Sequence, residues 1–511
     1  MRIPSSISLS IAAALCLSLT FTPAMFAQEK TDPVTMEDSE SAYKKGDFKT
    51  AISVLKVLAE QGDALAQFRL GHMLTEGKGQ QQDMSLASEW LQKAADQGHE
   101  GALTLLGRMY LEGTGVSTSV EKAASLLMAG AEKGNKTAQY YVGKMHRAGQ
   151  GFEKNPAAAV PWLLSAANEG VVEAQYELGI IYATGDGVTK NANTAEEWFL
   201  KAAKTGFIPA QYTLASNYAR GTGLEKDLSK AVEWYEKSAE AGLVKSQREL
   251  ANLYLAGIDG EPDYANAIKW LNVAAKNGDP VSQTNLAYLY ASGTGIERDD
   301  LLAARWYEQA AENGYIRAQA ALALFLEKGR GLDANAEMAA YWYRAAAAAG
   351  NEAAAVRLGA MLAEGRAEAA GDENTARWVF MAASHELQVA TDWLQREAEN
   401  GSSEAQYWLG ELFAAGKGVE ADGVKAVEWL TAAANGGVPE AQLAIAKRFA
   451  TGSGVEQDYV SAHKWANLSA ISGSEEAIKM RETFAKLMTP DQVADAQRQA
   501  REWVVKSGQS E

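Results

Sequence analysis

Apolar residues recur along this chain with a period of 36 residues, and each period predicts a pair of helices. In each period a small residue (Gly71, Gly107, Gly143, Gly179, Ala215, Ala251, Ala287, Ala323, Gly359, Gly410, Ala446) precedes a large one three positions on (Leu74, Tyr110, His146, Tyr182, Tyr218, Tyr254, Tyr290, Leu326, Leu362, Phe413, Phe449). Three residues make nearly one helical turn, so both lie on one face of a first helix, A. A second helix, B, carries a tryptophan column: Trp90, Trp162, Trp198, Trp234, Trp270, Trp306, Trp342, Trp378, Trp429 and Trp465, with Leu126 in the slot between Trp90 and Trp162. Four positions further stands another small residue, such as Ala94, Gly130, Ala166 or Ser238. Large against small is how close-packed helices interdigitate. No strand pattern competes with this.

The punctuation is equally regular. Gly-x-Gly follows helix A in most units, as at Gly77 and Gly79, Gly221 and Gly223, or Gly416 and Gly418, where the chain must leave a helix through a left-handed residue. Six residues after the first glycine stands an N-cap candidate for helix B: Asp83, Ser119, Asn155, Asn191, Asp227, Asp263, Asp299, Asn335, Asp422 or Asp458. A further glycine, such as Gly98, Gly170 or Gly350, closes the unit. The chain is thus an array of supersecondary units, and its function belongs on a long surface.

A unit such as AQYELGIIYATGDGVTKNANTAEEWFLKAAKTG, beginning at Ala174, resembles the Sel-1-like repeat, a relative of the tetratricopeptide repeat. The resemblance covers residues 63–473, read as eleven units. It implies an all-α fold, a right-handed superhelical solenoid of helix-turn-helix repeats with terminal caps and a concave groove. It also implies an adaptor or scaffold, since some exported bacterial members act in signalling, envelope assembly or host contact. Local departures are Leu126, Asp259 in a loop, and Ala367 and Gly371 near the one break in the period.

That break separates Trp378 from Trp429 by 51 residues, one period plus 15. The glycine expected at Glu386 is missing, and Trp393 stands 36 residues before Trp429. Either helix B runs on as one long helix, or an extra helix is wedged in near residues 384–400. The segment is expected to be helical, with Trp393 packed against Trp408 or the next helix A.

The ends differ from the middle. Arg2, the apolar run Ile7 to Phe21 and the small residues before Gln28 read as a secretory signal over residues 1–27. Cleavage is expected after Ala27, with Ala24 as a second site. Leu15 precedes the single cysteine, Cys16, where a lipoprotein signal wants a small residue. A polar lead-in (28–37) and a tetratricopeptide-like N-terminal cap (38–62, with Tyr43, Gly46 and Phe48) follow, and residues 474–511 form a polar helical cap. The expected location is the periplasm or the cell exterior, with no membrane span left after signal removal.

A net charge of −17 argues against nucleic acid as a partner. Without Cys16 the chain has no thiol chemistry. The five histidines, His72, His99, His146, His385 and His463, show no metal-ligand spacing. His146 falls in the core column, and His99 and His463 read as solvated. No metal or cofactor is expected. Ser-x-x-Lys, the spacing of a serine acyl-enzyme, occurs at Ser53, Ser119 and Ser461, but at differing repeat positions and without companion motifs. An exported β-lactam-binding or cell-wall hydrolase is therefore the alternative to a non-enzymatic scaffold.

Candidate binding residues come from the columns that vary. Three residues before the small helix A position stand Tyr140, Tyr176, Tyr212, Arg248 and Tyr407, and one residue after it stands Tyr288. By resemblance to tetratricopeptide arrays these positions line or border the concave groove, where a protein or peptide would bind. Arg220, Lys245, Arg248, Arg317 and Lys328 add a basic stripe on helix A positions, suited to an acidic partner segment.

Overall fold

In the computed structural model, which describes residues 34–370 and 374–507, every regular element is a helix, and there are 27 of them among the described residues. The signal and residues 28–33 lie outside the described residues, as do Gly371 and residues 508–511. Most helices are 13 residues long, as in the pair Ala64–Glu76 and Met84–Asp96. Helix A leaves through a left-handed glycine: Gly77 has φ +68° and its N–H donates to the Met73 carbonyl. Helix B opens on its cap: the Asp227 carboxylate accepts from Lys230 N at 2.9 Å. All ten predicted cap residues accept in this way.

The second loop glycine has a different reason. A Cβ on Gly331 would lie 2.1 Å from the Asp300 carbonyl oxygen at the start of the preceding helix B, and its φ is +68°. Only glycine lets the loop rest on that helix end. The small helix A column does the same for side chains, since a Cβ on Gly143 would lie 2.6 Å from Leu163 Cγ.

The described helices fall into two compact units, one ending at Ala202 and the other starting at Ala203. The first is a run of small cores, such as Leu91 with Leu106 and Met109, or Leu163 with Leu178 and Ile181. The second holds one longer core, from Ala287 to Leu412, and another around Leu430, Ile445, Trp465 and Phe484. Each fully buried leucine contributes about 1.5–3 kcal/mol. In the tryptophan column Trp234 and Trp465 are buried, while Trp90 and Trp342 are half-buried. A lysine ammonium covers several of these rings, at 3.8 Å for Lys93 over Trp90 and 4.0 Å for Lys237 over Trp234.

A second tie between units is a glutamine. Gln67, Gln139, Gln175, Gln247, Gln283 and Gln442, among others, each donate Nε2 to an alanine carbonyl at the end of the preceding helix B, as Gln283 does to Ala275 at 3.0 Å. Carbonyls at a helix end lack intrahelical donors, so a buried side chain that supplies one joins neighbouring units.

The break in the period is an extra helix. Thr375–Ala383 is followed by Gln388–Glu399 and then by the helix A Ser403–Ala415. The turn at 384–387 has the form of an ordinary B-to-A turn: Leu387 N donates to the Ala382 carbonyl as Val171 N does to Ala166, and Glu386 takes the left-handed place of Gly170, with φ +65°. The far end of Gln388–Glu399 behaves as a helix B, because its Ala398 carbonyl receives the latch from Gln406 at 3.0 Å. One helix therefore faces backward as an A and forward as a B. Trp393 is half-buried against the surrounding core, while Trp408 packs on Phe380, ring centres 4.7 Å apart.

Candidate protein-binding surface

Two cavities open between consecutive A helices, one in each unit. In the first unit about 390 Å³ lies between Met36–Lys44 and Ala64–Glu76, floored by Leu55, Phe68 and Met73 and rimmed by Tyr43 and the Glu40–Arg69 ion pair at 2.7 Å. In the second, about 420 Å³ lies between Ser403–Ala415 and Pro439–Thr451, lined by Tyr407, Glu411, Glu440, Leu443, Lys447 and Arg448 among others. Burial pushes the Tyr407 hydroxyl up to about 12, helped by Glu411, Glu440 and Glu404. Burial also raises the Glu411 carboxyl, against the pull of Arg448 and Lys447.

The tyrosines picked from the variable column are half-buried packing residues. Tyr140 meets Tyr141 edge-on at 5.2 Å, Tyr176 leans on Phe199 at 5.6 Å and Tyr212 on Tyr235 at 5.8 Å. Tyr288 is different, with 61% of its surface exposed.

The basic stripe is largely answered within the chain. Arg248 Nη1 lies 2.8 Å from Asp279, which also caps its helix through Ser282 N. Lys328 reaches Glu327 at 3.5 Å, and Lys245 sits over the Tyr212 ring. Arg220 and Arg317 are exposed, as are Lys245 and Lys328. Asp279 was not singled out by the sequence, though an aspartate after a unit-closing glycine and three residues before Ser282 signals a cap.

His463 is 2% exposed, not solvated as expected. Its repeat-mates on helix B are mostly small or apolar, with Ala124, Val160, Ala304, Ala340 and Ala376 buried and Val232, Ile268, Val427 and Glu196 half-buried, so the column signals partial burial more than solvation. Burial, and then Arg481, lowers its pKa. His99 caps its helix through Nδ1 and stacks on Phe68 at 4.5 Å, and His146 stacks on Phe152 at 4.3 Å. The Ser-x-x-Lys pairs form no dyad. Ser53 Oγ donates to the Lys49 carbonyl while Lys56 reaches Gln80, Ser119 caps a helix, and Lys464 leans over Trp465 at 4.6 Å. Among the described residues no His, Cys, Asp and Glu group could hold a metal ion, and no helix is long and apolar enough to cross a membrane.

The helix pairs are decided by comparison. A family model described as the Sel1 repeat matches ten stretches, eight in succession from 64 to 351, then 403–438 and 439–474. The chain belongs to the Sel1 repeat family. The stretch skipped by that model, 352–402, holds the helix pair Glu352–Ala363 and Thr375–Ala383 and the extra helix Gln388–Glu399. Among solved structures, a protective antigen of uropathogenic Escherichia coli strains displaying an SLR fold is 31% identical over 89% of this chain and 95% of its own, with a TM-score of 0.58. A Sel1 repeat protein from Oxalobacter formigenes is 30% identical over 47% of this chain and 96% of its own, with a TM-score of 0.42. A search of curated proteins returned no match. Sel1 repeat proteins generally act as scaffolds for protein–protein interaction, and their helix-pair fold is typically non-catalytic.

Proposed function

We propose that this Sel1 repeat protein is an exported, non-catalytic scaffold that binds a protein or peptide across its A-helix face, in envelope regulation, assembly or host contact. The observation that carries the reading is the contrast between columns. The core and latch positions repeat with little change, while the helix A positions around them vary from Tyr140 and Tyr176 to Arg248 and Tyr407 and stay partly open, with a cavity at Phe68 and another at Tyr407. A surface that diversifies on a fixed frame is what recognition of a specific partner requires. Export rests on Arg2, the apolar run to Phe21 and the small residues before Gln28. Arg220 and Arg317, together with the exposed Lys245 and Lys328, are the cations that an acidic partner segment would meet.

In-cell crosslinking with mass spectrometry tests both parts. The reading expects a chain beginning at Gln28, or at Met25, joined to a protein partner through helix A residues. Met1 retained in the cytoplasm would end the export reading, and crosslinks confined to helix B residues would end the scaffold reading.

A further inference from the structure

Within the second unit, Lys245 shows how a cation sits on this surface. It is the second residue of the helix A Val244–Ala256, and its ammonium lies 4.6 Å from the ring centre of Tyr212, one unit earlier. The negative face of an aromatic ring attracts such a charge. Tyr212 and Lys245 are 33 positions apart, and the same step from Tyr407 arrives at Glu440, again the second residue of its helix A. Tyr407 thus keeps the ring and meets a carboxylate where Tyr212 meets an ammonium.

The rest of the cavity fits an incoming positive charge. Glu440 is exposed, and Glu411 is half-buried on the facing helix. Of the two cations on the other wall, Lys447 Nζ is paired with Glu476 at 2.7 Å, and Arg448 Nη1 is turned to the Ser453 carbonyl at 3.2 Å while its charge still acts on Glu411. In the first unit the step from Tyr140 also reaches a carboxylate, Glu173, but its neighbour Glu177 is held by Arg147 at 2.5 Å. Beside Tyr407 the exposed carboxylate is Glu440, with Glu411 behind it on the facing helix.

We infer that the cavity at Tyr407 receives a lysine or arginine side chain of a partner polypeptide, seated over the ring and between Glu440 and Glu411 as Lys245 is seated over Tyr212. The inference rests on the scaffold reading and names the partner chemistry of one part of its surface.

The test uses residues 28–511 and a labelled, acetylated and amidated peptide, Gly-Ser-Gly-Lys-Arg-Lys-Gly-Ser-Gly, with a second peptide carrying glutamate in place of the three cations. Glu440→Lys gives Tyr407 a lysine of the chain's own, and the site should close, with affinity for the cationic peptide falling at least about fivefold. Tyr407→Leu should weaken it as well. Glu428→Lys makes the same charge change on helix B, at an exposed position, and should alter binding by less than about twofold, since it leaves the site intact. A lysine is already accommodated at this repeat position in Lys245, and an unchanged thermal melt verifies that the variant folds. Equal losses from Glu440→Lys and Glu428→Lys, no loss from Glu440→Lys, or equal binding of the glutamate peptide would overturn the inference. If these fail while crosslinks still map to A helices, the scaffold reading stands alone. If no partner maps to A helices, the scaffold reading falls too.

Discussion

The hydroxyl of Tyr343 donates to Glu327 Oε2 at 2.9 Å, and three cations close on the same carboxylate: Lys328 at 3.5 Å, Arg357 at 3.5 Å and Arg366 at 3.3 Å. The Glu327 side chain is 3% exposed. It joins Ile316–Lys328 to its own helix B, Ala336–Ala348, to the next helix A, Glu352–Ala363, and to the loop just before the break in the period.

Burial alone would push the Glu327 carboxyl up, but the Tyr343 hydroxyl and the surrounding cations outweigh it and hold it below the usual carboxylate range. A depressed folded-state pKa stabilises the fold above the ordinary glutamate pKa, and the contribution is lost as pH falls through the folded value. Glu327→Gln should therefore lower stability by about 1–2 kcal/mol at neutral pH and by less near pH 3. Denaturant melts at the two pH values measure this, and an equal loss at both would contradict it.

Gln283→Ala removes the side-chain donor that ties the Ala275 carbonyl to the next unit, leaving that carbonyl only the Gly278 N–H of its own turn, at a cost of about 0.5–1 kcal/mol. The repeat positions Leu103 and Ala355 show that a unit folds without its glutamine, so the variant should keep its helix content while its melting midpoint falls. An unchanged midpoint would show that the latch carries no stability.

Most of the frame was readable because each column repeats one physical demand. Caps such as Asp227, helix-ending glycines such as Gly77 and the small seam residues such as Gly143 each showed their reason in residue type alone. The break was readable only as a pair of alternatives. The period places Trp378 and Trp393 equally well, and the choice depended on whether Glu386 could accept a positive φ, which sequence pattern does not disclose. The binding surface was legible least. Arg248 on one helix and Asp279 on the next are 31 positions apart, and only the folded neighbour shows that the charge is spent on a cap.

Glu386 makes that choice testable. A side chain in the left-handed region costs roughly 1–2 kcal/mol relative to glycine, offset in part by the greater chain entropy of glycine when unfolded. Glu386→Gly should raise stability by about 0.5–1 kcal/mol, measured as a higher denaturation midpoint with an unchanged slope. A destabilised variant would mean that the Glu386 side chain holds the turn in some other way.

The central claim is that partner contact is made by the A-helix face, and one pair of sites tests it most directly. Tyr288 on a helix A is 61% exposed, and Tyr341 on a helix B is 56% exposed. A photo-crosslinking amino acid placed at each in turn, in cells, compares two equally accessible positions on different faces. The scaffold account predicts a discrete crosslinked partner from position 288 and none from position 341; a partner captured only from position 341, or equally from both, would contradict it.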